Sequence, residues 1–331
     1  MTKYLVINSG SFASKEMFND INKMKNGRST EFIYEIANPI ISFFCKVHNS
    51  YKINKVISLP FREIWDKYCV LNIVKMEPEN IFIIVMTNIS IKKFRTGYLN
   101  KISKLKNANI ALVCVDSLID KKTSAEKFLE EGFIKYIYSF DKNDCEKYGY
   151  IFTNCLYSKR KCDVIPPQKF DLFFIGRAKD RLDKILEIAN KGNSYNLKMN
   201  FKILGVSMNK RKINKAVKYL DKIEKYDDVY NQILASNCLL DIVQKGQNGF
   251  TMRVYEALFY NKKLITNNPN ILNFKYFNPK FMKYVKNIQD IDFLFVKNRS
   301  KVDYNYQNDY SPVNFVKDIE HRINSNNNYF L

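Results

Sequence analysis

Short apolar runs alternate with segments of helical periodicity along most of the chain, and this alternation constrains the fold more than any other feature. It is typical of α/β proteins in which parallel strands are joined by helices. In the first half it predicts strands at 4–8, 55–59, 81–86, 110–115 and 136–139, with helices at 97–107 and 124–132. In the second half it predicts strands at 170–177, 197–205, 238–243 and 262–266, with helices at 180–192, 211–223 and 226–237.

The chain divides near the segment "SKRKCDVIPPQK" (158–169), where a basic cluster precedes Pro166 and Pro167. Adjacent prolines interrupt helices and central strands, and 331 residues are close to two domains of average size. We therefore expect an N-terminal domain over 1–160, a C-terminal domain over 168–310, and a closing helix with a frayed tail over 311–331. Both domains are predicted to be Rossmann-like parallel sheets.

The formal net charge of +21 is spread over both halves of the chain. A cationic surface favours anionic membranes, nucleic acids or phosphorylated small molecules as partners. The abundance of Lys, Asn and Ile fits an AT-rich genome equally well, so the charge alone does not choose among these explanations.

The seven cysteines show no C-x-x-C spacing, which indicates reduced thiols in the cytosol. With only two histidines, His48 and His321, a zinc enzyme or a histidine-dependent triad is improbable. The first residues lack the pattern of a signal peptide, and the run Ile81–Met86 is far shorter than a membrane span. We expect a cytoplasmic protein whose membrane contact, if any, is peripheral.

The segment "GQNGFTMRVYEAL" (246–258) combines glycines with polar residues between a predicted strand and a predicted helix. In open α/β sheets, ligands bind where such loops leave the carboxyl ends of strands. Gly246 and Gly249 allow close approach of the backbone, and amides of the first helical turn suit a phosphate. The predicted ligand contacts in and beside this segment are Gln244, Gln247, Asn248, Gly249, Phe250, Thr251, Met252, Arg253 and Glu256.

A second phosphate contact is predicted at the end of the first strand of the same domain, in "FDLFFIGR" (170–177). Gly176 permits close approach, and Arg177 supplies a fork of donors. The alternative for the segment 246–258 is structural: Gly249 begins a helix, and Arg253 and Glu256 are solvated.

Three stretches carry a family resemblance: "DLFFIGR", "LLDIVQKGQNGFTMRVYEALFYNKKLIT" and "YIYSFDKNDCEKYG" (136–149). They resemble GT-B glycosyltransferases, especially those of bacterial lipopolysaccharide and capsule loci. The resemblance implies two Rossmann-like domains facing across a cleft. The nucleotide-sugar donor, which is a substrate, would bind the C-terminal domain and the acceptor the N-terminal domain, with neither metal nor cofactor required. Glu256 matches the glutamate that binds ribose in this family. Asn248 stands where many retaining members carry the first glutamate of this pair, which handles the transferred sugar, so the stereochemical course is not assigned.

An inverting reaction needs a base near the acceptor, and Asp116 and Asp141 are the predicted candidates. Their alternative role is to cap a turn or a helix. Ser9, Gly10 and Ser11 follow the first strand and either line the acceptor site or form a plain turn. Residues 92–95, "KKFR", with Tyr98 beyond them, are either a membrane-interfacial patch or the solvated start of a helix.

The combined prediction is a glycosyltransferase that moves a sugar from a nucleotide-sugar to a lipid-linked or oligosaccharide acceptor of bacterial surface polysaccharide. We retain three alternatives: a basic nucleic-acid-binding protein, a sugar-nucleotide epimerase of the same fold, and a noncatalytic relative. No recognised nucleic-acid motif supports the first of these.

Overall fold

A computed structural model describes residues 1–33, 36, 38–57, 59–115, 132–161, 166–222, 224–245 and 249–327. The chain forms two compact units. We call Met1–Ser158 with Tyr310–Leu331 the N-terminal unit, and Lys159–Asp309 the C-terminal unit. The segment 311–331, predicted as a separate closing element, thus belongs to the N-terminal unit.

The N-terminal unit contains a parallel sheet of six described strands. In space their order is β2-β1-β3-β4-β5-β6, so the direction of winding reverses between β1 and β3. Every residue of β4 is buried, which matches a central strand covered on both faces. The strands are β1 (Thr2–Ile7), β2 (Gly27–Thr30), β3 (Ile81–Thr87), β4 (Ala108–Cys114), β5 (Tyr136–Ser139) and β6 (Ile151–Phe152).

The strand predicted at 55–59 is wrong. Residues Tyr51–Val56 form a helix whose first turn is capped by the Ser50 hydroxyl. The edge of the sheet is occupied instead by β2, whose sequence "GRST" has no apolar run to reveal it. A capping serine outweighed the strand propensity of the β-branched residues that follow it.

The described α-helices of the N-terminal unit include a C-terminal helix that packs on one face of the sheet. Its buried residues Phe315, Val316 and Ile319 belong to the same core cluster as Val6 and Tyr138. Full burial of such side chains stabilises the fold by about 1.5–3 kcal/mol each. The helices are α1 (Phe12–Met17), α2 (Pro39–His48), α3 (Tyr51–Val56), α4 (Ile73–Met76), α5 (Thr96–Ser103), α6 (Lys142–Tyr148) and α11 (Pro312–Asn327). Most of the helix predicted at 124–132 lies outside the described residues.

The C-terminal unit contains a second parallel sheet, with the spatial order β12-β11-β10-β7-β8-β9. Counted from β7, this is the 3-2-1-4-5-6 order of a dinucleotide-binding Rossmann sheet. The strands are β7 (Phe170–Arg177), β8 (Met199–Leu204), β9 (Val217–Leu220), β10 (Ser236–Asp241), β11 (Lys263–Thr266) and β12 (Met282–Tyr284). Its described α-helices are α7 (Leu182–Ser194), α8 (Tyr226–Leu234), α9 (Met252–Phe259) and α10 (Phe293–Lys297).

The helix predicted at 211–223 is wrong, because Val217–Leu220 is the edge strand β9. Apolar residues at 213, 216, 217 and 220 match a helical period, yet pairing with β8 fixes the segment as a strand. The two parallel sheets confirm the predicted α/β class with two Rossmann-like domains.

Candidate functional site

The C-terminal sheet reverses its direction of winding between the neighbouring strands β7 and β10. Ligands of open α/β sheets bind outside the carboxyl ends of the strands at such a switch point. β7 ends at Arg177 and β10 at Asp241. The loops that follow these two residues therefore define the candidate site.

An arginine that the sequence analysis missed connects the two loops. The Arg181 guanidinium donates to the Arg177 carbonyl through Nε at 3.2 Å and through Nη2 at 3.0 Å, and its Nη1 donates to the Ile242 carbonyl. Burial lowers the pKa of Arg181, against the opposing charges of Asp241 and Asp180. A Cβ atom added to Gly176 would lie 3.2 Å from Arg181 Nη2, so the glycine makes room for this cation.

Arg177, the predicted phosphate contact, has an exposed side chain at the end of β7. It lies one residue beyond Gly176 and on the same edge of the sheet as Arg181. The only signal for Arg181 in the sequence is a second arginine four residues after the first, in "GRAKDR". The carboxyl edge thus carries two arginines where one was predicted: Arg181 bonds the backbone carbonyl of Arg177, and the Arg177 side chain lies near Gly205, after β8.

Asp241 is a second site residue that the sequence analysis missed. Its buried carboxylate accepts hydrogen bonds at 2.9 Å from the hydroxyls of Thr251 and Thr266. Burial raises the pKa of Asp241, while these hydrogen bonds and the charges of Arg253 and Arg181 oppose the rise. The carboxylate holds the loop between β10 and α9 in place. In the sequence, this role is indicated only by an aspartate at the end of an apolar strand.

The start of α9 lies at this edge, as predicted. Thr251 is its N-cap, and the Thr251 hydroxyl accepts from the Arg253 amide at 3.1 Å. The carbonyl of the buried Gly249 accepts from Asn268 Nδ2 at 3.2 Å, which holds the preceding loop against β11. The amides of a first helical turn have no partner within the helix and carry partial positive charge that suits an anion, and Met252 is the first residue of α9.

Two of the predicted contacts, Gln247 and Asn248, lie outside the described residues, as does the neighbouring Gly246. Gln244 is half-buried in the loop that follows β10. Phe250 packs against Phe274, with ring centroids 5.0 Å apart, so its ring stabilises the loop.

Glu256 and Arg253 form a buried ion pair on successive turns of α9, with side chains 3% and 12% exposed. Their burial removes the alternative in which both are solvated. The Tyr226 hydroxyl lies 3.4 Å from the Glu256 carboxylate. Burial raises the pKa of Glu256, and Arg253 opposes the rise. The carboxylate therefore faces Arg253 and Tyr226, whereas the sequence analysis expected it at the open mouth of the site.

In the N-terminal unit, Ser9, Gly10 and Ser11 form a turn after β1. Gly10 has a φ of +77°, and the Ser11 hydroxyl caps α1. The Ser9 carbonyl accepts from Lys93 Nζ at 3.0 Å. The turn thus both caps a helix and contacts a cation from the loop after the neighbouring strand β3.

The structure does not support a catalytic role for Asp141, and Asp116 lies outside the described residues. Asp141 is 4% exposed and caps α6, because its carboxylate accepts from the Asn143 amide at 3.0 Å. This geometry agrees with the capping alternative.

The patch at 92–95 is not an exposed mixture of cations and aromatic rings. Phe94 and Tyr98 are buried, and the Arg95 guanidinium pairs with Asp66. Phe94 lies in extended backbone before α5 and Tyr98 lies in α5, and the burial of both rings shows that the interfacial prediction for this segment is wrong.

The described part of the chain contains no group of three or more potential metal ligands. Within the same residues, no helix is long and apolar enough to cross a membrane. The described cysteines are free.

No protein-family model matches the sequence, and no curated protein matches it significantly. Among solved structures, TarM is 13% identical with a TM-score of 0.43 over 69% of this chain, which spans 50% of the TarM chain. The glycosyltransferase SnogD from Streptomyces nogalater is 9% identical, with a TM-score of 0.35 over 80% of this chain and 82% of its own. An alpha-glucosyltransferase in complex with UDP and DNA is 13% identical, with a TM-score of 0.42 over 80% of this chain and 79% of its own. With identities and TM-scores this low, these likenesses assign neither a family nor an activity.

Proposed function

We propose that the protein is a glycosyltransferase whose nucleotide-sugar donor binds at the β7/β10 switch point of the C-terminal unit. The observation that supports this most directly is that Arg181 bridges the loop after β7, which carries Arg177, and the loop after β10, which leads to the Thr251-capped start of α9. Two of the stretches that resemble GT-B enzymes, "DLFFIGR" (171–177) and 239–266, contain or adjoin these residues. The reaction needs neither metal nor cofactor in this proposal.

A diphosphate is the ligand group that this edge suits best. Helix amides and the helix dipole attract an anion, and guanidinium groups bind phosphate oxygens through two parallel hydrogen bonds. The same groups would stabilise the charge that develops on the departing nucleoside diphosphate when the sugar is transferred.

Binding of UDP, GDP, CDP, ADP and dTDP, measured by calorimetry and thermal shift, tests the donor site. A ligand of the native state raises the melting temperature. We expect Arg177→Ala to weaken binding about tenfold, the effect of one charge-assisted hydrogen bond. Arg299→Ala is the matched control, because Arg299 binds Asp171 at the opposite, amino end of β7. Unchanged affinity in Arg177→Ala, or an equal loss in the control, contradicts the assignment.

For Glu256 we propose the ribose-binding role that the resemblance implies. Its pairing with Arg253 offers a competing role, in which Glu256 only positions that guanidinium. Comparing UDP with inorganic diphosphate on Glu256→Gln separates the two roles. Loss of UDP affinity with unchanged diphosphate affinity supports the ribose contact, whereas loss of both shows that Glu256 acts through Arg253.

We further propose that the acceptor is a lipid-linked or oligosaccharide glycan of a bacterial lipopolysaccharide or capsule, reached at the cytoplasmic face of the membrane. α2 supports this location, because its apolar stripe faces away from the protein. Ile40, Phe43 and Phe44 are 66%, 61% and 53% exposed. A helix that presents apolar side chains to solvent beside an exposed lysine, Lys46, has the character of an interfacial helix.

Sedimentation with vesicles of phosphatidylglycerol or of phosphatidylcholine tests this contact. We expect binding to the anionic vesicles, and its loss in the double variant Phe43→Ser, Phe44→Ser. Leu294→Ser, at a 71% exposed apolar residue of the C-terminal unit, is the control. Equal binding of the double variant and the native chain contradicts the proposed surface.

Transfer itself is tested by the release of free nucleotide. Release that depends on a saccharide acceptor supports a transferase, and sugar-nucleotide conversion without an acceptor supports the epimerase. Salt-sensitive binding of oligonucleotides, with no response to nucleotide-sugars, supports the nucleic-acid-binding alternative.

A further inference from the structure

A cavity of about 940 Å³ opens at the carboxyl edge of the N-terminal sheet. Asn8 directly follows β1, Thr30 ends β2 and Lys93 lies in the loop after β3, so three neighbouring strands contribute to its wall. The polar face of α2 adds Lys46 and Asn49. Since this sheet reverses its winding between β1 and β3, the cavity occupies its switch point.

The lining of the cavity has more cations than anions. Lys15 pairs with the Glu31 carboxylate at 2.8 Å. Lys93 Nζ donates to the Ser9 carbonyl at 3.0 Å and lies 5.4 Å from the centre of the Phe32 ring. The charged lining residues are Lys15, Arg28, Lys46 and Lys93 against Glu16 and Glu31.

Glu31 is the internal counterion of this cluster. The hydrogen bond from Lys15 lowers the pKa of Glu31, against its burial, and the charges of Lys93 and Lys46 lower it further. Burial lowers the pKa of Lys93, and Glu31 opposes that change. Four cations thus line the cavity against two carboxylates, and this positive balance can accommodate another anion.

We propose that this cavity binds a saccharide that carries an anionic group, either a carboxylate or a phosphate. Lys93, Lys15 and Lys46 would bind the anionic group, and the neutral amides and hydroxyls of the wall would bind the sugar. The description of this saccharide as the acceptor rests on the proposed glycosyltransferase function. The binding of the saccharide at the cavity does not depend on that function.

The wall favours a sugar over a flat or apolar ligand. Besides the charged groups it presents the amides of Asn8, Asn22 and Asn49 and the hydroxyls of Ser29 and Ser42. A volume of this size is within the range of small-molecule sites, and a few placed polar groups set their specificity. Amides and hydroxyls both donate and accept hydrogen bonds, as the hydroxyl groups of a sugar require.

Calorimetric titration with glucuronate, glucose 6-phosphate, glucose and inorganic phosphate tests the proposal on the full chain without nucleotide. We expect at least one anionic sugar to bind about tenfold more tightly than glucose and than phosphate. Lys93→Met should weaken that binding about tenfold, since one charge-assisted contact is lost. Lys104→Met, at an exposed lysine that is not part of the cavity lining, is the matched control.

Glu31→Gln gives a second test, in which the affinity for the anionic sugar is expected to rise. Removing the internal carboxylate should tighten the binding of the anionic sugar several-fold and leave glucose unchanged. Glucose binding as tightly as the anionic sugars, phosphate binding as tightly as glucose 6-phosphate, or an equal loss in Lys104→Met overturns the proposal. Titration of the same samples with UDP reports on the donor site separately, so failure of one site is distinguishable from failure of the other.

Discussion

Replacing Thr251 by valine removes two interactions at the start of α9 while nearly preserving the shape of the side chain. The hydroxyl accepts from the Arg253 amide at 3.1 Å as the helix cap. It also donates to the buried Asp241 carboxylate at 2.9 Å. Loss of a cap costs about 1 kcal/mol, and loss of a hydrogen bond to a charged group about 1.5–3 kcal/mol. We expect Thr251→Val to lower the free energy of unfolding of the C-terminal unit by about 3 kcal/mol.

Urea titration followed by far-UV circular dichroism measures this loss. Fluorescence of Trp65, the single tryptophan, follows the N-terminal unit and helps to separate the two transitions. Thr251→Ser keeps the hydroxyl and should remain within about 1 kcal/mol of the native chain. A valine variant within about 0.5 kcal/mol of the native chain would refute the reasoning, as would a serine variant destabilised as strongly as the valine variant.

Four further predictions concern the N-terminal unit. Gly10→Ala forces a side chain into a positive φ and places its Cβ 2.6 Å from the Glu31 carboxylate, so urea unfolding should show a loss of about 1–2 kcal/mol. Gly97→Ala, in α5 with no atom within 4 Å of the added Cβ, should instead be neutral or stabilising. Asp141→Ala should lower the free energy of unfolding by about 1 kcal/mol, because the cap of α6 is lost, and should leave the rate of sugar transfer unchanged. A loss of turnover of two orders of magnitude or more would instead identify Asp141 as the base. The pKa of Glu31 is lowered in the folded state, so its stabilising effect is present above its ordinary pKa and is lost as the pH falls through the folded value. Urea titrations should therefore show Glu31→Gln to be less stable than the native chain at pH 7, by under about 1 kcal/mol for this partly exposed pair, and the difference should shrink as the pH falls through the folded pKa of Glu31.

Local sequence pattern identified most of the central strands correctly. Strands such as β3, β4, β7 and β10 are buried on both faces, so they must be nearly continuous apolar runs, and such runs are visible without tertiary information. The glycine-rich loop before α9 could also be recognised from the sequence, because a helix that starts at a sheet edge needs a capping residue and a flexible backbone before it.

The edge strands are defined by hydrogen bonds to neighbouring strands, and their own sequences do not reveal them. β2 and β9 each bury at most part of one face, and their sequences carry either no apolar pattern or an ambiguous one. Hydrogen bonds to β1 and β8 define them, and those partners are distant in sequence for β2. Local propensity also failed at 55–59, because the helix Tyr51–Val56, capped by Ser50, includes the first residues of the predicted strand.

The sequence by itself determined the α/β class, the two sheets and the position of the glycine-rich loop, because burial on both faces and helix capping act over a few neighbouring residues. Only the tertiary structure decided which side chains meet at the switch points. It joined Arg181 to the loop after β10, turned Glu256 inward against Arg253, and gathered Lys15, Lys46 and Lys93 around Glu31. These contacts join residues on separate elements or depend on which face of a helix is buried, and both are fixed by packing over the whole unit.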